Sequence, residues 1–190
     1  MGSSESKPGY RIIQIMKDSP ADSKGFLPYL DFITSFNGTN ILESTLPFQE
    51  LIKSNIDCPI TLGIFSLKDM ATREVQITPQ TWQGEGLLGL NLRYEDASEA
   101  LHNIIHITKV FPDSSASRAG LLEGEYIIGS SAIKIKDVGD IQIYLETKKE
   151  IDLAVFNKTD SSVHFLTLKS NDGSIGMEVA TGVMHRLSSG

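Results

Sequence analysis

The stretch Gly84-Glu-Gly86-Leu-Leu-Gly89-Leu-Asn-Leu-Arg-Tyr94 places a glycine-rich turn directly before an alternating apolar segment. Its glycines have the spacing G-x-G-x-x-G, which in dinucleotide-binding folds follows a strand and opens a helix. Here leucines alternate with other residues after the turn, and alternation of this kind is typical of a strand. The pattern therefore disfavours a nucleotide site and predicts a turn that leads into a strand.

Such a turn has two interpretations. An apolar-Gly-apolar turn before an edge strand can direct successive backbone N–H groups into one pocket, where they would bind the carboxylate of a peptide. The bound peptide would then extend along the strand by β-augmentation, with specificity pockets between that strand and a helix. Alternatively, the glycines serve a β-hairpin whose apolar neighbours lie in the core. The spacing alone leaves both interpretations open.

The same succession of motifs occurs twice in the chain, with a period of about 90 residues. That period is longer than the repeats of solenoid proteins and indicates a duplicated domain. An acidic stretch at residues 95–101 interrupts both apolar patterns and marks the boundary. The repeated motifs are Asp18-Ser-Pro-Ala-Asp-Ser-Lys-Gly25 with Asp113-Ser-Ser-Ala-Ser-Arg-Ala-Gly120, and Gly86-Leu-Leu-Gly89 with Gly173-Ser-Ile-Gly176.

Each copy is predicted to contain the same elements. A strand (11–16 and 104–110) leads to a short helix that begins at a serine cap, Ser19 or Ser114, and ends at a glycine. A second strand (31–36 and 125–128) precedes a longer helix (45–54 and 137–148). Three strands complete each copy (59–66, 72–78 and 88–94; 151–156, 163–168 and 175–180). We therefore predict an α+β fold with two small, mostly antiparallel sheets or partial barrels, each with two helices.

Composition narrows the classes of function. The chain has 190 residues and a formal net charge of -7, which disfavours nucleic acid as a partner. No apolar run approaches the ~20 residues that a membrane-spanning helix needs, and no secretory signal follows Met1. The single cysteine, Cys58, fits a reducing compartment. His102 and His106 have no companion ligands, so we expect no metal, no cofactor and no enzymatic activity.

The order of motifs resembles a PDZ domain that is circularly permuted, so that the strand with the carboxylate-binding loop comes last. The whole chain is similar to the tandem PDZ region of the Golgi reassembly and stacking proteins. The resemblance predicts a lipidation segment at 1–8 and PDZ domains at 9–96 and 101–190. It is carried by Gly9-Tyr10, Asp18-Ser-Pro20, Tyr29-Leu-Asp-Phe-Ile33, Asn37-Gly38, Ile77-Thr-Pro79, Trp82-Gln-Gly-Glu-Gly-Leu-Leu-Gly89, Tyr126-Ile-Ile-Gly129 and Leu187.

The resemblance implies a scaffold on the cytoplasmic face of the Golgi membrane that tethers cisternae and forms homodimers or homo-oligomers. Its partners would be C-terminal peptides of golgin-type coiled-coil proteins and of membrane cargo. The second loop lacks the tryptophan and the Gly-x-Gly of the first. The residues expected to bind peptide are Leu88, Gly89, Leu90, Leu92 and Leu51 in the first copy, and Ile175, Gly176 and Met177 in the second.

The N-terminus Met1-Gly2-Ser-Ser-Glu-Ser6 fits the N-myristoylation pattern M-G-x-x-x-[ST]. The family resemblance also implies a lipidated Gly2, although Met-Gly-Ser-Ser begins many expression tags as well. One myristoyl chain gives only marginal membrane binding, with K of roughly 10⁴ M⁻¹. A stable membrane anchor would therefore need a second attachment through a bound partner.

Two other functions are compatible with PDZ-like modules. One is the regulatory or interaction part of a protease, or another peptide-binding adaptor outside the Golgi. The other is a soluble homo-oligomer whose grooves bind the protein's own C-terminal tail.

Overall fold

The computed structural model of the protein describes residues 6–181 and 187. The chain divides into two units, Met1–Glu99 and Ala100–Gly190. Each unit contains one antiparallel sheet, and neither sheet closes into a barrel within the described strands. With four helices in the same range, the fold is α+β and consists of two PDZ-like domains in tandem. The limits 9–96 and 101–190 stay predictions.

The first unit has a sheet with the strand order β5-β4-β2-β1-β6, and β3 pairs with β2. The last strand in sequence, β6, therefore lies at the sheet edge beside the first strand, β1, which is the predicted circular permutation. The elements are β1 (Pro8–Ile15), β2 (Asp31–Phe36), β3 (Thr39–Asn40), α1 (Phe48–Lys53), β4 (Ile60–Ser66), β5 (Ala71–Ile77) and β6 (Leu90–Asp96).

The second unit repeats this plan in the strand order β10-β9-β8-β7-β11. Its last strand, β11, again lies at the edge beside its first strand, β7. Helix α2 lies where the two units meet in sequence. The elements are α2 (Ala97–His102), β7 (Ile105–Val110), α3 (Ser115–Ala119), β8 (Tyr126–Gly129), α4 (Val138–Lys148), β9 (Glu150–Asn157), β10 (Ser162–Lys169) and β11 (Met177–Ala180).

The predicted serine cap is confirmed in the second unit and wrong in the first. Ser114 caps α3 by accepting a hydrogen bond from the Ser117 N–H at 3.1 Å. After Ser19 the chain instead forms consecutive turns, in which the Asp22 N–H donates to the Ser19 carbonyl three residues earlier. The Asp22 carboxylate also accepts from the Asp18 N–H at 2.8 Å.

The longer helix of the first unit begins later than predicted. Pro47 precedes Phe48 with an extended backbone (φ -57°, ψ 145°), and α1 starts after it. The residue before a proline is itself disfavoured in helical conformation. Residues 45–47 are therefore a loop, and α1 is only six residues long.

Each glycine loop contributes a leucine or isoleucine to the core of its own unit. Leu88 and Ile175 are 5% and 3% exposed. Burial of such side chains stabilises a fold by roughly 1.5–3 kcal/mol each, so each loop is held by its core. Their partners include Ile12, Ile33, Phe36, Leu62 and Ile64 in the first unit, and Ile105, Ile127, Leu145, Leu153 and Val155 in the second.

A buried ionic cluster connects β6 to β1. The Arg11 Nη1 atom lies 2.9 Å from the Glu95 Oε2 atom, and Arg93 also pairs with Glu95. The Arg11 Nε–H donates to the Tyr29 carbonyl at 2.8 Å. Burial lowers the pKa of Arg11 below its ordinary value, and the nearby Glu95 carboxylate opposes that shift. The guanidinium keeps its charge, so the cluster depends on Glu95.

We expect Glu95→Ala to destabilise the first unit by about 3–5 kcal/mol, because it leaves the Arg11 charge buried without its partner. Urea unfolding followed by the fluorescence of Trp82, the single tryptophan, measures the loss. The matched control is Glu50→Ala, which removes an exposed ion pair with Lys53 and should cost less than about 1 kcal/mol. Equal losses in the two variants would contradict the assigned role of the cluster.

Candidate functional site

A groove of about 420 Å³ lies between α1 and β6 in the first unit. Four residues that the sequence predicted for peptide binding, Leu88, Gly89, Leu90 and Leu92, lie together along one wall. The strand β6 is an edge strand, with β1 as its only neighbour within the described sheet. The groove is lined by Phe48, Gln49, Ile52, Lys53, Gly86, Leu87, Leu88, Gly89, Leu90, Asn91 and Leu92.

The opposite wall is formed by two pairs of α1 residues that sequence reasoning did not select. Phe48 and Ile52 are four residues apart, and so are Gln49 and Lys53, so each pair lies on one side of the helix. Leu51, which the sequence did select, instead lines a neighbouring cavity. The four-residue spacing within each pair could have suggested these residues from the sequence. This spacing does not show which face of the helix turns toward β6.

The backbone of the loop offers N–H groups at the end of the groove. The Ala21 N–H donates to the Leu88 carbonyl at 3.1 Å, and the Met16 N–H donates to the Gly89 carbonyl at 2.8 Å. A trans peptide directs its C=O and the following N–H in opposite directions. The N–H groups of Gly89 and Leu90 therefore point away from the segment around Met16 and Ala21. Successive N–H groups oriented in this way can bind an anion.

The loop is held between a serine and the tryptophan. Gly89 has φ +74°, and a Cβ atom at this position would lie 2.0 Å from the Ser19 Cβ. The Trp82 ring covers Gly84, where a Cβ would come within 2.1 Å of the indole. The Trp82 Nε1–H also donates to the Gly86 carbonyl at 2.9 Å. These contacts fix the loop without any side chain at Gly89.

The second unit repeats this arrangement at Ile175, Gly176 and Met177. The Ala116 N–H donates to the Ile175 carbonyl at 2.9 Å, and the Phe111 N–H to the Gly176 carbonyl at 3.0 Å. Gly176 has φ +76°, and a Cβ there would lie 2.3 Å from the Cβ of the capping serine of α3. Met177 is partly buried and begins the edge strand β11. The two glycine loops thus have the same backbone anchoring.

The two loops differ in how close they lie to the longer helix of their unit. A Cβ on Gly173 would lie 2.8 Å from the Glu146 Cγ and 3.3 Å from the Gln142 carbonyl oxygen, so this loop lies close against α4. A Cβ on Gly86, the equivalent glycine of the first loop, would have no heavy atom within 4 Å. The first loop therefore leaves more room beside its helix at this point.

Comparison with known proteins decides the family. The model of the GRASP55/65 PDZ-like domain matches residues 3–81 and 62–190. The chain belongs to the GRASP55/65 PDZ-like domain family. The identification made from the sequence motifs is therefore confirmed.

Three relatives of the GRASP-type chain have comparable identities. Golgi reassembly-stacking protein 1 of Mus musculus is 30% identical over 98% of this chain and 45% of its own length. The Homo sapiens protein of the same name is 30% identical over 94% of this chain and 42% of its own. An uncharacterised protein of Schizosaccharomyces pombe is 29% identical over 94% and 53%. The chain thus spans about half the length of these relatives.

Of the other candidate residues, His106 does not line the groove. The His106 ring stacks on Tyr126 with centroids 4.6 Å apart. Within residues 6–181 and 187, no three His, Cys, Asp or Glu side chains are grouped so as to hold a metal ion. No helix in this range has the length and apolar character to cross a membrane. The lipidation candidate Gly2 lies outside the described residues.

We expect Gly89→Ala to destabilise the first unit by about 1–3 kcal/mol more than Gly86→Ala. Both variants place an alanine at φ +74°, but only the new Cβ at Gly89 overlaps another residue, Ser19. Urea unfolding followed by Trp82 fluorescence measures the difference.

A double variant checks the cause of that difference. Ser19→Gly removes the atoms that the new Cβ would overlap, so it should recover part of the stability lost in Gly89→Ala. The single Ser19→Gly variant is the reference for this comparison. If Gly89→Ala and Gly86→Ala lose the same stability, the close packing of Gly89 on Ser19 does not explain the stability lost in Gly89→Ala.

Proposed function

We propose that the chain is a scaffold that tethers Golgi membranes by binding the C-terminal peptides of golgin-type coiled-coil proteins and of membrane cargo in its first groove. The observation that carries this proposal is the loop at Gly89, whose N–H groups point away from Met16 and Ala21 at the end of an apolar groove beside an open strand edge. The name of the mouse and human relatives, Golgi reassembly-stacking protein 1, supports the Golgi assignment.

In the proposed complex the peptide binds in one direction. Its carboxylate accepts hydrogen bonds from the N–H groups of Gly89 and Leu90, just before the start of β6. The rest of the peptide then runs antiparallel to β6 and adds to the sheet as a further strand. Its alternate side chains enter the space between Leu92 and the helix residues Phe48 and Ile52. Apolar residues at these alternate positions should therefore be preferred.

The proposed scaffold has two attachments to the membrane. An acyl chain on Gly2 is the first, and a membrane-bound partner in the groove is the second. Since one acyl chain binds marginally, the second attachment raises membrane affinity through effective concentration. The protein would lie on the cytoplasmic face, and self-association of first modules on apposed membranes would link cisternae.

We expect a peptide with a free C-terminal carboxylate to bind at least about tenfold more tightly than its C-terminally amidated form. A hydrogen bond to a charged group contributes about 1.5–3 kcal/mol, and tenfold corresponds to about 1.4 kcal/mol. The probe is a synthetic eight-residue peptide with leucine as its last and third-from-last residues. Titration followed by Trp82 fluorescence measures binding, because this tryptophan packs against the loop and donates a hydrogen bond to it.

Two variants test the location of peptide binding. Gly89→Ala should abolish the preference for the free carboxylate, whereas Gly124→Ala should keep it. Gly124 has φ +88° with open space around it and belongs to the second unit, so it controls for the effect of a strained alanine. Equal affinity of the free and amidated peptides for the unsubstituted chain would refute the carboxylate mechanism.

We expect Gly2 to be acylated when the chain is expressed with an N-myristoyltransferase and an untagged N-terminus. Intact-mass spectrometry should show the modified form, and Gly2→Ala should abolish it because acylation requires an N-terminal glycine. Sedimentation with vesicles should be weaker for the variant. An unmodified Gly2 in this experiment would remove the lipid anchor from the proposal.

A further inference from the structure

A second cavity, of about 450 Å³, lies beside the first groove at the far end of β6. Three of its apolar residues are strongly exposed: Leu42 by 55%, Leu46 by 50% and Tyr94 by 54%. Single exposed apolar residues are ordinary, but a cluster around a concavity is typical of a binding surface. The cavity is lined by Tyr10, Ile41, Leu42, Ser44, Thr45, Leu46, Pro47, Phe48, Leu51 and Tyr94.

Aromatic side chains connect this cavity to the first groove. The Tyr10 ring lies 4.8 Å from the Phe48 ring and 5.4 Å from the Tyr94 ring, centroid to centroid. Phe48 lines both concavities. Phe48 is buried, and the contacts among the rings of Phe48, Tyr10 and Tyr94 therefore run from the groove to the second cavity.

The register of β6 shows which ligand residue would reach this surface. Leu90, Leu92 and Tyr94 are two residues apart, so their side chains lie on one face of the strand. A peptide whose last residue pairs with Leu90 in antiparallel register has its third-from-last residue opposite Leu92. Its fifth-from-last residue is then opposite Tyr94, because cross-strand partners advance together.

We propose that the second cavity is a subsite for the fifth-from-last side chain of a C-terminal peptide bound in the first groove, and that this side chain is apolar. The inference rests on the proposed function, since it assumes that the peptide carboxylate binds at Gly89. It adds to that function a longer recognition element, in which the residue opposite Tyr94 contributes to affinity and selects among partners.

The chemistry of the lining favours an uncharged occupant. Among residues 6–181 and 187, no Asp, Glu, Lys, Arg or His lines the cavity, so a charged side chain would be desolvated there without a counter-charge from these residues. The Ser44 hydroxyl already donates to the Leu46 carbonyl at 3.0 Å and accepts from the Leu46 N–H at 3.2 Å. This turn holds Leu46 at the cavity rim.

The experiment compares two ten-residue synthetic peptides with a free carboxylate and leucine as the last and third-from-last residues. They differ only at the fifth-from-last residue, which is leucine in one and serine in the other. Both are titrated against the full chain by calorimetry, together with the amidated form of the leucine peptide. We expect the leucine peptide to bind about tenfold more tightly than the serine peptide, through partial burial of one apolar side chain.

The variant Leu46→Ser should abolish most of that tenfold advantage and leave the affinity of the serine peptide unchanged. Leu46 is half exposed, so its substitution should not unfold the chain. Leu122→Ser is the matched control, because Leu122 is 58% exposed and belongs to the second unit. It should keep the full difference between the two peptides.

The outcomes separate the two proposals. If the free carboxylate is preferred but the leucine and serine peptides bind equally, the subsite is refuted and the groove stands. If the amidated and free peptides bind equally, the proposed function fails and the subsite falls with it. If Leu46→Ser weakens self-association in sedimentation without changing the binding of either peptide, the cavity binds a second copy, which also refutes the proposal.

Discussion

The close packing of a loop glycine on a serine is the constraint on which each unit depends. A Cβ atom on Gly89 would lie 2.0 Å from the Ser19 Cβ, and one on Gly176 would lie 2.3 Å from the Ser114 Cβ, so neither position has room for a side chain. The contact brings the end of each unit back to the turn after its first strand. It thereby places β6 and β11 at sheet edges, with loop N–H groups directed away from that turn. The proposed anion-binding geometry and the position of the edge strand both involve this contact.

Other contacts of the scaffold are repeated with different residues. Asp31 is fully buried and pairs with Arg73, which binds it through two nitrogens at 2.5 and 3.2 Å. In the second unit Glu125 is nearly as buried and accepts from Asn157 at 3.3 Å, with the His164 Nε2 atom at 3.6 Å. The scaffold thus accepts different side-chain partners at the position of a buried carboxylate. The glycine contact, in contrast, has the same two residue types in both units.

Strands and loops could be predicted from the sequence because their signals are local. Strand β2 occupies the predicted residues 31–36, and both glycine loops stand before edge strands. The predicted helix after Ser19 was wrong, since the chain forms consecutive turns there. Leu51 was chosen for the groove, yet Ile52 lines it. A six-residue helix has too few apolar positions for periodicity to show which face turns toward β6.

The two units differ in the contact between the glycine loop and the longer helix, whereas the glycine–serine contact is the same in both. Lys149 donates to the carbonyls of Glu146 and Asn171 at 2.8 and 2.6 Å, so it fastens the second loop to the end of α4. Gly173 is packed against the same helix. The second loop therefore lies close to its helix at this point. A Cβ on Gly86 would meet no heavy atom of the described residues within 4 Å, so the first loop leaves more room beside its helix. Ligand binding should therefore depend on the gap between loop and helix, which supports assigning the peptide to the first unit.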